Sequence, residues 1–421
     1  TPVSISTNEI SGWPAGPEIT SETGVLMDAD SGILLYSKGG DEIRYPASIT
    51  KIMTLLLAVE NCSLKEDVVF TETGTRDISW DSGNIGMQVG EVMSMRACLY
   101  ALVIRSANEV AAQIAEHVGG TEQHFVDMLN ERAAQIGCTN THFVNASGLP
   151  DPDHYSTAHD MALIMREGLK NKKFRRIIGA TDYTIKPTNM NSESRVLHTH
   201  HPMLAPESSY HYDGCIGGKT GYTSEAGNTL VTAAEKNGTT YITVTMKAAD
   251  LAVASTDSTA LFNYGYQNFT KAQVNGGEVS VPNGVTVDNL TVQENSQNGN
   301  TVNDYYYNDY LLGSVEVPEA TPTPEPAADA LSDTSGGNTD QNEKSDTVGE
   351  EKTSDHRSGN ASSYYHSEHC TCKKGKKILW LSLHIMWIYA NRYNRNTEKA
   401  KEKRKIKWEK SKLQNVVELR D

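Results

Sequence analysis

Between Tyr45 and Glu60 the chain reads YPASITKIMTLLLAVE, and from Ile49 to Val59 most residues are apolar. A helix of that composition is apolar on nearly all sides, so it must be buried and the rest of the domain built around it. Pro46 just ahead of the run is a helix start signal, and Ser48 sits where the first turn begins. Ser48 and Lys51 are three residues apart and share a face near that start. Taken alone, the pair reads equally as an N-cap serine and a lysine snorkelling to solvent. A lysine held inside such a helix, however, is costly unless it is paired or neutral. A neutral amine beside a hydroxyl is a base beside a nucleophile.

The 421 residues allow one large domain with appendages, or two to three domains. The net charge of −15 is unevenly spread. The last 49 residues, from Lys373, hold 15 Lys/Arg against 5 Asp/Glu, which leaves the remainder near −25. So acidic a body argues against nucleic acid as a partner of the main domain. The basic tail alone invites a membrane or nucleic-acid reading. The cysteines (Cys62, Cys98, Cys138, Cys215, Cys370 and Cys372) match no four-ligand zinc spacing, so no metal and no cofactor is expected. Thr1 is not an initiator methionine and no apolar signal segment follows, so the chain reads as already processed or trimmed.

Composition and periodicity divide the chain into five stretches. Residues 1–22 are polar, with Pro14 and Pro17, and are expected to run extended over the surface. Residues 23–270 form the main domain. It opens with a hairpin of Gly24–Asp28 and Gly32–Ser37 around a turn-rich break. Helical periods follow at Val92–Ile104, Glu109–Val118, Glu122–Ile136 and Thr157–Leu169, with Gly119-Gly120 and Gly137 as stops. Short β-prone runs come next, at Tyr183–Ile185, Arg195–His198, Gly214–Thr223, Asn228–Ala234 and Thr240–Met246, and Ala252–Tyr266 closes as a helix. Strands, a helical middle, then strands and a helix predict an α+β domain whose sheet is completed by both ends of the segment. Residues 271–317 read as a small β-rich module. Residues 318–369 read as a disordered linker, with TPTPEP and then a Ser/Asp/Gly/Asn-rich run. Residues 370–421 are a basic tail that contains the apolar run Ile378–Ala390.

Two more polar signals lie in the main domain. Ser106-Ala107-Asn108 falls in a break between two helices, where a turn can aim both side chains into a cleft; it would equally serve as a plain helix cap. Lys219-Thr220-Gly221 lies on a predicted strand after Gly217-Gly218, where missing side chains let a ligand approach the backbone. The order S-x-x-K, S-x-N, K-T-G at Ser48, Ser106 and Lys219 is the signature of penicillin-recognising serine enzymes. The segments DADSGILLYSKGGDEIRYPASITKIMT, ASGLPDPDHYSTAHDMALI and GGKTGYTSEAGNTLV narrow it. Over roughly residues 20–270 the chain closely resembles the serine D-Ala-D-Ala carboxypeptidases, the low-molecular-mass penicillin-binding proteins.

The resemblance implies a β-lactamase/transpeptidase-like α+β fold, an antiparallel sheet flanked by helices, with a small C-terminal β module and a disordered tail. It implies that Ser48 attacks the bond between the two terminal D-alanines of a peptidoglycan stem peptide, with Lys51 as its base. That role needs a neutral amine, although a free lysine titrates near 10.4; burial and the charge of Lys219 both push the value down. Ser106 would relay the proton to the leaving amine, and Asn108 would hold Lys51 and the substrate amide. The N–H groups of Ser48 and Tyr222 would form the oxyanion hole, beside Gly221 on the strand edge. Lys219 and Thr220 would receive the terminal carboxylate, and β-lactams would acylate Ser48. The implied location is the outer face of the bacterial cytoplasmic membrane or the cell wall.

There are departures. The family usually carries a carboxylate-binding arginine soon after the strand at Thr240–Met246; here Lys247 stands nearby and no arginine occurs between Arg195 and Arg357. Lys247 could substitute, without bidentate geometry. Ala107 replaces a commoner glycine, the module after 271 is short for a second domain, and the tail after 369 does not match. A class A β-lactamase shares the three motifs but needs a deacylating glutamate, and Glu167-Gly-Leu-Lys-Asn171 is only a near miss to its E-x-x-L-N. A P-loop fails because Asp213 stands where its first glycine belongs. A non-catalytic wall-binding protein would lack the nucleophile. His198, His200 and His201 are read as lining a strand and loop near the cleft. The tail is read as a membrane attachment, either as a short span or as an interfacial helix.

Overall fold

The computed structural model describes residues 6–76, 82–297 and 300–317, all within one compact unit, Thr1–Pro326. The expected linker 318–369 and basic tail 370–421 lie outside the described residues. β1 (Thr23–Asp28) and β2 (Leu34–Lys38) form the expected hairpin. A 3-10 turn over Ala47–Thr50 leads into α1 (Lys51–Asn61), whose residues from Lys51 to Val59 are all buried. Ser48 therefore stands in the tight turn, one step before the α-helix itself.

β3 (Asp67–Val69) pairs with β4 (Val92–Ser94), and α2 (Met95–Ile104) follows. The helix expected from Val92 thus starts three residues late. Val92–Ser94 find a strand partner in β3, and the Ser94 hydroxyl then caps α2 by accepting from the Ala97 N–H. Next come α3 (Asn108–Gly119), α4 (Glu122–Ile136), α5 (Ala158–Leu169) and α6 (Lys172–Ile178). Thr121 and Thr157 cap α4 and α5, and Gly120 and Gly137 end α3 and α4 in the left-handed region. The short hairpin β5 (Asp182–Ile185) and β6 (Arg195–His198) leads to the three long strands β7 (Cys215–Thr223), β8 (Gly227–Lys236) and β9 (Thr239–Ala248). Then α7 (Leu251–Asn268) crosses back, followed by β10 (Phe269–Val274), β11 (Gly277–Pro282), β12 (Thr291–Gln297), β13 (Asn300–Tyr307) and β14 (Tyr310–Glu316).

The central sheet is antiparallel throughout, in the order β2-β1-β9-β8-β7. It is closed by the two ends of the segment, since β1 pairs with β9 from Thr23↔Met246 to Asp28↔Tyr241. Alternate residues of β1 feed two cores. Val25 and Met27 join α1–α6 on one face, and Leu26 joins Leu261 and Phe262 of α7 on the other. The helical middle thus covers one face, α7 covers the other, and β7 is left at the edge.

Residues 6–22 do not run loosely over the surface. The Trp13 indole donates to the Leu35 carbonyl (2.9 Å) and its ring lies 5.1 Å from Phe269 and from Tyr310. Asp257 of α7 accepts the Ser21 N–H (2.7 Å) and hydroxyl (2.6 Å). Lys271 of β10 reaches Asp28 (2.7 Å), and Tyr305 and Leu312 join the same core as Trp13. A polar segment with one tryptophan carries little periodicity, so only its distant partners reveal where it packs.

Candidate active site

At the mouth of α1, Lys51 is fully buried and its Nζ has three neighbours. Ser48 Oγ lies at 3.0 Å, Asn108 Oδ1 at 2.7 Å and the Ser147 carbonyl at 2.6 Å. An amide oxygen and a carbonyl can only accept. In a neutral amine they take its two N–H groups, which leaves the lone pair facing the Ser48 hydroxyl. Burial above all, and then the charge of Lys219, hold the Lys51 pKa well below the ordinary lysine value, against an opposing pull from Glu109.

The Ser147 carbonyl is set by a turn that the sequence reading did not single out. Asn145 Oδ1 accepts the N–H groups of Ser147, Gly148 and Leu149, and the Thr54 hydroxyl donates to the Ala146 carbonyl (2.6 Å). Gly148 has φ +84°, and a Cβ there would stand 1.8 Å from the Ala47 carbonyl oxygen. The turn and the 3-10 segment carrying Ser48 are therefore in backbone contact. His154 braces both: its Nδ1 accepts from the Val144 N–H (3.1 Å), so its protonated Nε2 donates to the Thr50 hydroxyl (2.8 Å). Burial lowers its pKa to about 4 and keeps it neutral. An Asn two residues before a Ser-Gly pair is the turn signal that would have found this element.

Ser106 follows α2 with φ +56°, a conformation that costs a non-glycine residue about 1–3 kcal/mol and gathers at functional sites. The Asn108 N–H donates to the Gly83 carbonyl (2.8 Å), and Glu109 Oε1 accepts the Ile85 N–H (2.6 Å). The segment from Ser82 to Ile85 is thereby fastened to the start of α3 as one wall of the cleft.

β7 forms the opposite wall. Lys219 is buried beneath the strand, donates to the Thr220 carbonyl (2.8 Å), and is lowered to about 7 by burial. At Gly221 a Cβ would lie 2.8 Å from the Ser48 amide nitrogen, so only glycine lets the strand edge come this close to that N–H. The Thr229 hydroxyl of β8 donates to the Pro46 carbonyl (2.9 Å) and fixes the spacing. Ser48, Ser106, Asn108, Thr220, Gly221 and Tyr222 all line one cavity of about 310 Å³.

Other candidates lie elsewhere. Lys247, considered as the substitute for the missing arginine, turns to the Glu225 carbonyl (2.5 Å) and lines a neighbouring hollow with Arg44 and Glu22. Glu167 is bound to Arg132 and Lys170, both at 2.7 Å. The three histidines diverge: His198 meets Asp182 (2.5 Å), His200 accepts from Arg105 (2.6 Å), and buried His201 donates to the Val231 carbonyl (3.2 Å) behind Gly218.

A helical lobe and a sheet edge that bring a serine, a buried lysine and an S-x-N turn to one cavity define the penicillin-recognising class of serine enzymes. A profile of the D-alanyl-D-alanine carboxypeptidase family matches residues 11–250. The chain belongs to that family. It is 30% identical to the D-alanyl-D-alanine carboxypeptidase DacF of Bacillus subtilis over 59% of its own length and 63% of that protein's. Against the D-alanyl-D-alanine carboxypeptidase of a Streptomyces species the identity is also 30%, over 59% of this chain and 88% of the other. Among solved structures, a mutant Streptomyces DD-transpeptidase superposes with a TM-score of 0.55 at 28% identity, covering 60% of this chain and 99% of that one. A D-alanyl-D-alanine carboxypeptidase of Mycobacterium tuberculosis superposes with a TM-score of 0.56 at 27% identity, over 65% and 98%.

Proposed function

We propose that this chain is a serine D-Ala-D-Ala carboxypeptidase that trims the terminal D-alanine from peptidoglycan stem peptides. The observation that carries the reading is the Lys51 amine, whose Nζ lies 3.0 Å from Ser48 Oγ and whose other two neighbours are pure acceptors. Ser48 Oγ attacks the carbonyl carbon of the penultimate D-alanine and its proton passes to Lys51 Nζ. The oxyanion is received by the N–H groups of Ser48 and Tyr222. Collapse breaks the C–N bond, and the proton returns through Ser106 to the leaving amine, freeing D-alanine. Water then attacks the ester on Ser48, Lys51 takes its proton, and the serine hydroxyl is restored. Lys219 and Thr220 receive the terminal carboxylate, whose negative charge keeps Lys219 protonated. Asn108 positions Lys51 and the substrate amide.

A β-lactam presents a strained amide to the same hydroxyl, and the ring opens onto Ser48. Mass spectrometry of protein treated with a fluorescent penicillin is expected to find the adduct on the peptide holding Ser48. An adduct on another peptide refutes the assignment.

On this reading the enzyme works on the wall outside the cytoplasmic membrane, attached by its tail. Among the described residues no helix is long and apolar enough to cross a membrane, and the apolar run Ile378–Ala390 lies outside them. The tail reading is supported by Lys373, Lys374, Lys376 and Lys377, which precede that run and suit anionic headgroups. Full-length protein is expected to sediment with membranes and a truncation ending at Glu368 to stay in the supernatant. Equal partitioning of the two removes the anchor; release by salt alone favours surface binding over a span.

A further inference from the structure

The two helices that bring Lys51 and Asn108 to the cleft meet again at their far ends, around donor atoms that the cleft does not use. α1 begins with Lys51 and is capped at its other end by Cys62, whose N–H donates to the Ala58 carbonyl (3.0 Å). α3 begins with Asn108 and carries His117 in its last turn. Glu66 joins them from the turn leading into β3. Its N–H donates to the Ser63 carbonyl (3.1 Å) and its own carbonyl accepts from the Met95 N–H (2.8 Å), so its backbone is fixed on both sides. The Ser63 N–H holds Glu66 Oε1 (2.6 Å), which leaves Oε2 to meet His117 Nε2 at 3.2 Å. The Cys62 thiol donates to the same carboxylate. One sulfur, one oxygen and one nitrogen thus lie within 4.8 Å of one another, and Cys62 and His117 are half-buried.

A thiolate with an imidazole favours borderline-soft ions of the zinc class over magnesium and calcium, which take oxygen ligands. With Zn–S near 2.3 Å and Zn–N or Zn–O near 2.0–2.1 Å, tetrahedral ligands stand roughly 3.3–3.6 Å apart. The Glu66–His117 pair already has that spacing, and the sulfur has at most about an ångström to travel. Cys62 is in no disulfide, and the ion pair of His117 is with Glu66 itself. The sequence gives no sign of this trio, because His117 lies 51 residues beyond Glu66 and only the fold joins them.

We propose that Cys62, Glu66 and His117 bind one divalent cation of the zinc class, with water in a fourth position. Binding sends the Cys62 thiol proton to solvent and exchanges the hydrogen bonds to Glu66 for bonds to the metal. The ion ties the end of α1 to the end of α3, and so braces from behind the helices whose first residues, Lys51 and Asn108, are hydrogen-bonded at 2.7 Å.

The test titrates cobalt(II), then zinc(II), into full-length protein carrying Cys370→Ser and Cys372→Ser, which removes the thiols of the tail. Cobalt is expected to give a thiolate-to-metal charge-transfer band that saturates at one equivalent and is displaced by zinc. Adding Cys62→Ser is expected to abolish the band, and adding His117→Gln to weaken zinc binding by about a hundredfold. Zinc at about a hundred times its dissociation constant is expected to raise the unfolding midpoint by about 5 °C, and by about 1 °C or less in either variant. A cooperative transition in chelator shows that each variant is folded; if one is not, the other decides. Absence of the band overturns the proposal, as does a band that survives Cys62→Ser or zinc affinity untouched by His117→Gln. A midpoint that zinc leaves unmoved, or moves equally in all three proteins, overturns it too.

Discussion

Lys51→Ala is expected to slow penicillin acylation of Ser48 by roughly three to four orders of magnitude at every pH where the protein stays folded. The nucleophile remains, but no other described side chain offers a lone pair at 3.0 Å from its hydroxyl. Lys219→Ala is expected to cost about ten- to a hundredfold, since it removes a carboxylate partner and not the base. The pH profiles separate the two further. In the parent, kcat/KM is expected to rise as Lys51 loses its proton and to fall above about 7, where Lys219 in the empty cleft loses the charge proposed to receive the carboxylate. A neighbouring cation favours the neutral amine, so without Lys219 the rising limb moves to higher pH and the falling limb disappears. Stopped-flow acylation across pH checks this. Equal residual rates in the two variants, or an unmoved rising limb, would count against these roles.

Gly148→Ala is expected to abolish labelling and to destabilise the domain by more than about 4 kcal/mol. The left-handed backbone alone costs alanine about 1–2 kcal/mol. The larger part is contact, because the new Cβ falls 1.8 Å from the Ala47 carbonyl oxygen, a backbone atom one residue from Ser48. Either the turn from Asn145 to Leu149 moves, taking the Ser147 carbonyl from Lys51, or the 3-10 segment moves and takes Ser48 with it. Thermal unfolding and penicillin labelling read the two effects. A variant of unchanged midpoint and labelling rate would show that the interlock is unnecessary.

What could be read from the chain alone follows from how local each signal is. The fourth helix, Glu122–Ile136, carries its own cap and stop in Thr121 and Gly137 and appears with the bounds expected. Of the long strands, β8 and β9 alternate clearly enough to be placed within a few residues, and the glycine-rich run of β7 appears with nearly the bounds expected. Val92–Ser94 reads as helical in sequence because a three-residue strand has no period of its own, and only β3 makes it one. The short helix Lys172–Ile178 gives little signal of its own, because its Asn171 cap precedes only seven residues rich in charge. At the cleft, side chains announced themselves and backbone groups did not. Ser48, Ser106 and Lys219 stood out as motifs, whereas the Ser147 carbonyl becomes visible only when two distant turns meet. The direction of Lys247 is hidden for the same reason: a left-handed backbone, φ +58°, at the end of β9 turns its side chain to the Glu225 carbonyl.

The pairing of β1 with β9 also orders events in time. Ser48 and its helix are made early, but the strand that carries Gly221 comes much later, and the sheet that holds the two together cannot close until Thr239–Ala248 exists. Before then β1 and β2 are a lone hairpin, which is marginal in water. Closing so long a loop is slow, and helices form locally well before it. A fragment ending before β9 is therefore expected to carry Ser48 without a closed cleft and not to react with penicillin.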